Sequence, residues 1–150
     1  MTPYSTSALP TIVSNTYVDG KGIIKFASII TSIGKRAFSG CTKLTSISMP
    51  STVMSLEYNA FKSCTGLISI TILINVIGNY AFENCTGLTS VMIVNGVESI
   101  GEGAFIGCRY LTSISYTGTI AQWNTITKGN YWHRNVPAKV VHCTDGDAPI

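Results

Sequence analysis

Four segments of this chain are one pattern written four times, and no other feature restricts its folding so tightly. They run Ala37-Phe38-x-x-Cys41-x-x-Leu44-x-x-Ile47-x-Met49, Ala60-Phe61-x-x-Cys64-x-x-Leu67-x-x-Ile70-x-Ile72, Ala81-Phe82-x-x-Cys85-x-x-Leu88-x-x-Val91-x-Ile93 and Ala104-Phe105-x-x-Cys108-x-x-Leu111-x-x-Ile114-x-Tyr116. Successive cysteines are 23, 21 and 23 residues apart. A unit of this length cannot bury its own apolar faces, so it persists only by stacking on neighbours of its own kind. Another aliphatic stands seven residues beyond the last position: Leu56 after Met49, Ile100 after Ile93 and, before the first copy, Ile33 after Phe26. The third connection is two residues shorter and delivers Ile77. Gly34, Gly78 and Gly101 follow these aliphatics, with Glu57 the exception.

Within a copy, Ile47 and Met49 alternate with Ser46 and Ser48, a period of two that turns the apolar pair inward and the serines outward. That predicts a strand in every turn, stacked in parallel on the next at about 4.8 Å. Nineteen isoleucines against seven leucines fit the same reading, because β-branched side chains suit a pleated, half-buried surface. Phe38, Phe61, Phe82 and Phe105 fall at equivalent corners and predict an internal aromatic ladder.

The period and the core Leu44-x-x-Ile47-x-Met49 lie in the range of leucine-rich repeats. More narrowly, the string Ile-Gly-x-x-Ala-Phe-x-x-Cys-x-x-Leu-x-Ser-Ile over about residues 21–116 resembles the BspA-type leucine-rich repeats of bacterial surface proteins and some protists. The resemblance implies an α/β solenoid, mostly β: a right-handed coil of short stacked parallel strands with a cap at each end. Its tail, Ala121-Gln122-Trp123-Asn124 followed by Trp132 and Val141-x-Cys143-x-Asp145-Gly146, is similar to segments that close many such bacterial proteins.

Three regions follow: residues 1–26 as an N-terminal capping hairpin and first strand, 27–116 as the repeats, and 117–150 as a C-terminal cap. Asp19-Gly20 between β-prone runs is a hairpin signal, pairing Ile12–Val18 with Lys21–Phe26. In the latter, Ile24 matches Ile47 and Phe26 matches Met49, while Lys21 replaces the apolar Leu44, as suits a terminal turn. At the other end Trp123 lies seven residues after Tyr116, where the aliphatics of earlier turns occur. Thr119 to Thr127 reads as a short helix and Lys139 to Cys143 as a final strand.

Four of the five cysteines belong to the repeat, which predicts a buried row of free thiols at parallel corners. A disulfide requires two Cβ groups turned towards each other, and zinc requires ligands that converge; a row along the coil provides neither. His142 and Cys143 are strand neighbours facing opposite ways, so they share no metal and form no nucleophile–base pair. Asp145-Gly146-Asp147 is too short for an EF-hand loop and reads as a turn near a frayed terminus. Gly101-Glu102-Gly103 through Gly107 resembles a phosphate loop only until it is aligned with Gly34 to Gly40, where Lys35 and Arg36 occur. Asn84-Cys85-Thr86 matches a glycosylation sequon, but its cysteine is predicted inward on a repeat corner. Neither a cofactor nor a metal is expected.

Charged residues make up 11% of the chain, against roughly 25% in average soluble domains, and the net charge of +3 is spread thinly. This excludes a charged disordered tail and offers no basic stripe for a nucleic-acid backbone. No apolar run is long enough to span a bilayer, and residues 1–18 lack the features of a secretory signal. Repeat proteins bind through their extended sheet, so the candidate contact residues are its outward columns: Ser46, Ser69, Ser90 and Ser113, then Ser48, Thr71, Met92 and Ser115. Tyr131, Trp132 and Arg134 add the residue types typical of binding hot spots, with Trp132 equally suited to plug the end of the core. By resemblance, the expectation is a non-enzymatic binding or adhesion module at a bacterial cell surface or outside the cell, with a host or bacterial protein or glycan as partner. The competing expectation is a structural spacer or self-assembling unit, suggested by the apolar stretch Ile68 to Ile77.

Overall fold

The structure, a computed structural model, describes residues 29–150 throughout and, before them, the backbone of two strands. The chain divides into two compact units, Met1–Thr31 and Ser32–Ile150. In the first, β1 (Ile12–Val18) pairs antiparallel with β2 (Lys21–Phe26), Val18 opposite Lys21 and Asn15 opposite Ile24. The pairing expected between Ile12–Val18 and Lys21–Phe26 is present, with a register shift between Ile12 and Ser14. The rest of the segment expected as an N-terminal cap lies outside the described residues, as do the side chains of both strands.

The second unit is a mostly β solenoid of about five turns. Each turn after the first adds one short strand to each of two sheets, and the first adds one to a single sheet. The first sheet stacks β3 (Ser32–Ile33), β4 (Ser55–Leu56), β6 (Val76–Ile77), β8 (Ser99–Ile100) and β10 (Thr127–Lys128), all parallel. The second stacks β5 (Ser69–Ile72), β7 (Ser90–Ile93) and β9 (Ser113–Tyr116) in parallel, in the register Ser69↔Ser90↔Ser113. β11 (Val140–Cys143) extends this sheet in parallel through His142↔Ser115, and β12 (Gly146–Pro149) closes it antiparallel. A hairpin thus stands where a frayed terminus was expected. The burial alternates as the period of two requires: Ile70, Ile72, Val91, Ile93, Ile114 and Tyr116 are inside.

The corners hold the turns together. Phe38, Phe61, Phe82 and Phe105 stack with ring centroids 5.1, 5.4 and 5.2 Å apart and planes within 4° of parallel. The Phe61 N–H donates to the Ala81 carbonyl of the next turn at 2.8 Å, and Phe82 does the same to Ala104. Two residues per corner have left-handed backbone. Arg36, Asn59, Tyr80, Gly103 and Tyr131 occupy the first such position, and Gly40, Ser63, Asn84, Gly107 and Asn135 the second. Gly103 and Gly107 sit there because glycine adopts positive φ without steric cost, which accounts for the glycine-rich run without a phosphate.

The first turn departs from expectation. Leu44–Met49 forms no strand. Its ends are tied to the second turn, Ile68 N–H to the Thr45 carbonyl and Val76 N–H to that of Met54, but the residues between carry no ladder pairing. Cys41 and Ala37 are exposed, and Phe38, Leu44 and Ile47 are half-buried. The predicted row of buried thiols therefore has three members, Cys64, Cys85 and Cys108. Within this unit the first turn has a neighbour on one side only, so its inward face lacks half of the contacts the middle turns receive.

The last turn departs differently. Helix α1 (Ile120–Thr125) inserts after β9, and the position that Ile100 fills in its turn is taken by Lys128 rather than Trp123. The helix starts at Thr119, whose hydroxyl accepts from the Gln122 N–H while the Gln122 side chain accepts from the Thr119 N–H, a reciprocal capping box. Asp145 accepts from the Ile120 N–H at 2.7 Å and ties the β11–β12 turn to that end. Lys128 fits an inward position because its Nζ donates to the Trp123 and Ile126 carbonyls and lies 4.5 Å from the centre of the Trp123 ring. Burial pushes its pKa below the ordinary lysine value.

Candidate binding face

The outward face of the second sheet is built by strand register. Parallel pairing in register places equivalent residues of successive turns side by side, so a repeated serine becomes a column. Ser69, Ser90 and Ser113 form one column, and Thr71, Met92 and Ser115 the next. Ser69, Thr71 and Met92 are exposed and Ser90, Ser113 and Ser115 half-buried. The face carries no ionised group over these three strands, and Met92, 45% exposed, is its one large apolar side chain.

Ser46 and Ser48 are not brought into these columns. With Ile47 and Met49 they face Ser69, Ile70, Thr71 and Leu73 across a cleft of about 300 Å³ where the first strand of the sheet was expected. The second column is instead prolonged at its other end. His142 lies beside Ser115, and its Nδ1 is 2.8 Å from Asp147 Oδ1 on β12. Sequence reasoning placed His142 on a strand but not in this column, because the inserted helix hides the register. Leu73, 49% exposed, lines the cleft beside the columns.

The three aromatic and basic candidates separate. Trp132 is buried and stands edge-on to Phe105 at 6.3 Å and to Trp123 at 5.9 Å, ending the phenylalanine ladder. Tyr131 and Arg134 are exposed, with the guanidinium 5.4 Å from the tyrosine ring centre. Sequence alignment missed that Tyr131–Asn135 is itself a corner: the Phe105 N–H donates to Trp132 O as Phe82 does to Ala104, and Tyr131 and Asn135 take the two left-handed positions. Next to it, burial and then the Lys139 charge push the His133 pKa down.

The thiols are structural in their contacts. Cys64, Cys85 and Cys108 each donate Sγ–H to the phenylalanine carbonyl of the preceding turn, at 3.0, 3.0 and 3.1 Å. Burial raises Cys108 to about 12. The neighbouring thiol of Cys64 first, and burial second, hold Cys85 protonated. Among the described residues no three His, Cys, Asp or Glu side chains are grouped to hold a metal ion, and no helix is long and apolar enough to cross a membrane.

The family model for the BspA type leucine rich repeat region matches residues 20–128 in six copies. This chain belongs to that family. The match begins where the sequence resemblance does, at β2, and continues past residue 116 through β10. Among solved structures, a leucine rich cell surface protein from Faecalibacterium prausnitzii A2-165 is similar at 35% identity and a TM-score of 0.61, over 65% of this chain. The match spans 26% of the length of that protein. A search of curated proteins found no match.

Proposed function

We propose that this chain is a non-enzymatic binding module of a bacterial cell-surface or secreted protein, engaging a protein or glycan through the hydroxyl-lined sheet face. The observation that carries the reading is the registered pair of columns from Ser69 to Ser113 and from Thr71 to Ser115, an uncharged flat face repeated without a catalytic group within it. Its support is the BspA-type family and the similar protein, which is described as a cell surface protein. The surface or extracellular location is inferred on the same ground.

The test is a screen of surface proteins and a glycan array against the wild type and Ser90→Arg, which puts a charged side chain in the middle of the first column. A saturable partner whose affinity falls by roughly tenfold or more in the variant supports the reading. The absence of any saturable partner, or equal binding by both proteins, removes it.

A second reading, a spacer or self-assembling unit, is favoured by the apolar exposure of Met54, Ile68 and Leu73 at 55%, 52% and 49%. Light scattering over a range of concentrations separates the two. A mass that grows with concentration supports assembly, and a constant monomer mass rejects it.

A further inference from the structure

Between Glu102 and Asp145 the chain contains no acidic residue, yet it carries Arg109, Lys128, Arg134 and Lys139. Lys128 is turned inward onto two carbonyls. Arg109, Arg134 and Lys139 are exposed. The ion pairs among the described residues are Lys62–Glu83 and His142–Asp147, so these three cations have no carboxylate partner there.

The solenoid gathers them although they are up to 30 positions apart in sequence. The Gly107 N–H donates to the Arg134 carbonyl at 3.0 Å and the Arg109 N–H to the Gly107 carbonyl at 2.9 Å, so the two arginines lie on adjoining corners of the fourth and fifth turns. The Ala138 N–H donates to Leu111 O at 3.1 Å, which sets Lys139 alongside the segment that carries Tyr110. Tyr110 and Tyr131, 67% and 60% exposed, supply two open aromatic rings at this corner, the latter beneath the Arg134 guanidinium.

We propose that this corner is a docking surface for an acidic polypeptide segment of a partner protein. The charge complementarity is specific in kind, since each guanidinium presents a planar fork that matches a carboxylate in two parallel hydrogen bonds. Tyrosine and arginine are, with tryptophan, the side chains enriched where protein partners bind strongly, which favours a polypeptide as the occupant. The surface is separate from the hydroxyl columns and does not depend on them.

Fluorescence anisotropy of a fluorescein-labelled peptide of alternating glutamate and aspartate tests the proposal on the full chain. The expected result is saturable binding at low salt, weakened by roughly tenfold or more in Arg109→Ala/Arg134→Ala and weakened likewise by raising the salt. Lys35→Ala/Arg36→Ala, which removes the same charge from the first turn, should bind as the wild type does. Should the alanine pair lower the melting temperature, Arg109→Gln/Arg134→Gln decides by the same criteria. The proposal is overturned by an absence of saturable binding, by equal loss in the Lys35→Ala/Arg36→Ala control or by equal binding of the glutamine and asparagine peptide. Tighter binding of polygalacturonate or a single-stranded oligonucleotide also overturns it and gives the corner to that class of partner.

Discussion

In three successive turns the corner cysteine contributes a hydrogen bond as well as buried volume. The S–H of Cys64, Cys85 and Cys108 reaches a phenylalanine carbonyl of the turn before, linking turns at a place where the backbone offers no further donor. The Cys85 thiol beside it pulls Cys64 below the ordinary thiol value, whereas a thiolate at Cys85 or Cys108 would be buried without a counter-charge. Cys108 is accordingly raised from 9.0 to about 12, and Cys85 is raised as well. The sign of the linkage follows: above the ordinary value the unfolded chain releases thiol protons that the folded chain keeps. Stability is therefore full below about pH 9 and falls as the pH rises towards 12, by about 1.4 kcal/mol per pH unit for each such thiol. Urea midpoints measured across that range should fall in the wild type and flatten in Cys108→Ala, and identical slopes would contradict the assignment. Cys41 shares the motif but is exposed. The pattern showed which cysteines are equivalent, but not which of them has turns on both sides.

At the level of the element, the recurrent glycine after the first-sheet strand has a steric cause that only stacking reveals. A Cβ on Gly101 would stand 2.5 Å from the Asn79 nitrogen and 2.6 Å from the Gly78 carbonyl carbon, both of the preceding turn. Gly101→Ala should therefore destabilise the protein by about 1–3 kcal/mol. The urea midpoint of the variant against the wild type checks this, and equal midpoints would show that close stacking is not the reason for the glycine. Leu44–Met49, whose sequence alternates as regularly as Ser69–Ile72, forms no strand although β5 lies beside it, so an alternating pattern by itself does not make a ladder. Strand β12 is the reverse case. Gly146–Pro149 has little intrinsic β preference, but β11 is present to pair with it and Asp145 anchors the turn to α1.

For the molecule as a whole, the decisive event at the C-terminal end is closure of the aromatic ladder. Trp132 occupies the place of the corner alanine and sets its ring across the face of Phe105 that a further phenylalanine would cover. Trp132→Ala should cost about 3–5 kcal/mol and lower the urea midpoint of the solenoid as one unit, since the rungs beneath it lose their cover. A loss confined to the tail, with the midpoint unchanged, would show that the ladder needs no lid. The repeat, the identity of its inward residues, the phenylalanine ladder and the outward columns from Ser69 to Ser115 were all legible in the order of amino acids, because periodicity states which residues share an environment. Tertiary structure alone decided how far that environment extends. It left Ser46 and Ser48 outside the columns, put Lys128 where Trp123 was expected, turned Tyr131–Asn135 into a further corner and brought Arg134 beside Arg109. Each of these depends on what lies on the adjoining turn, and a burial or a hydrogen bond that requires two turns is not written in either one.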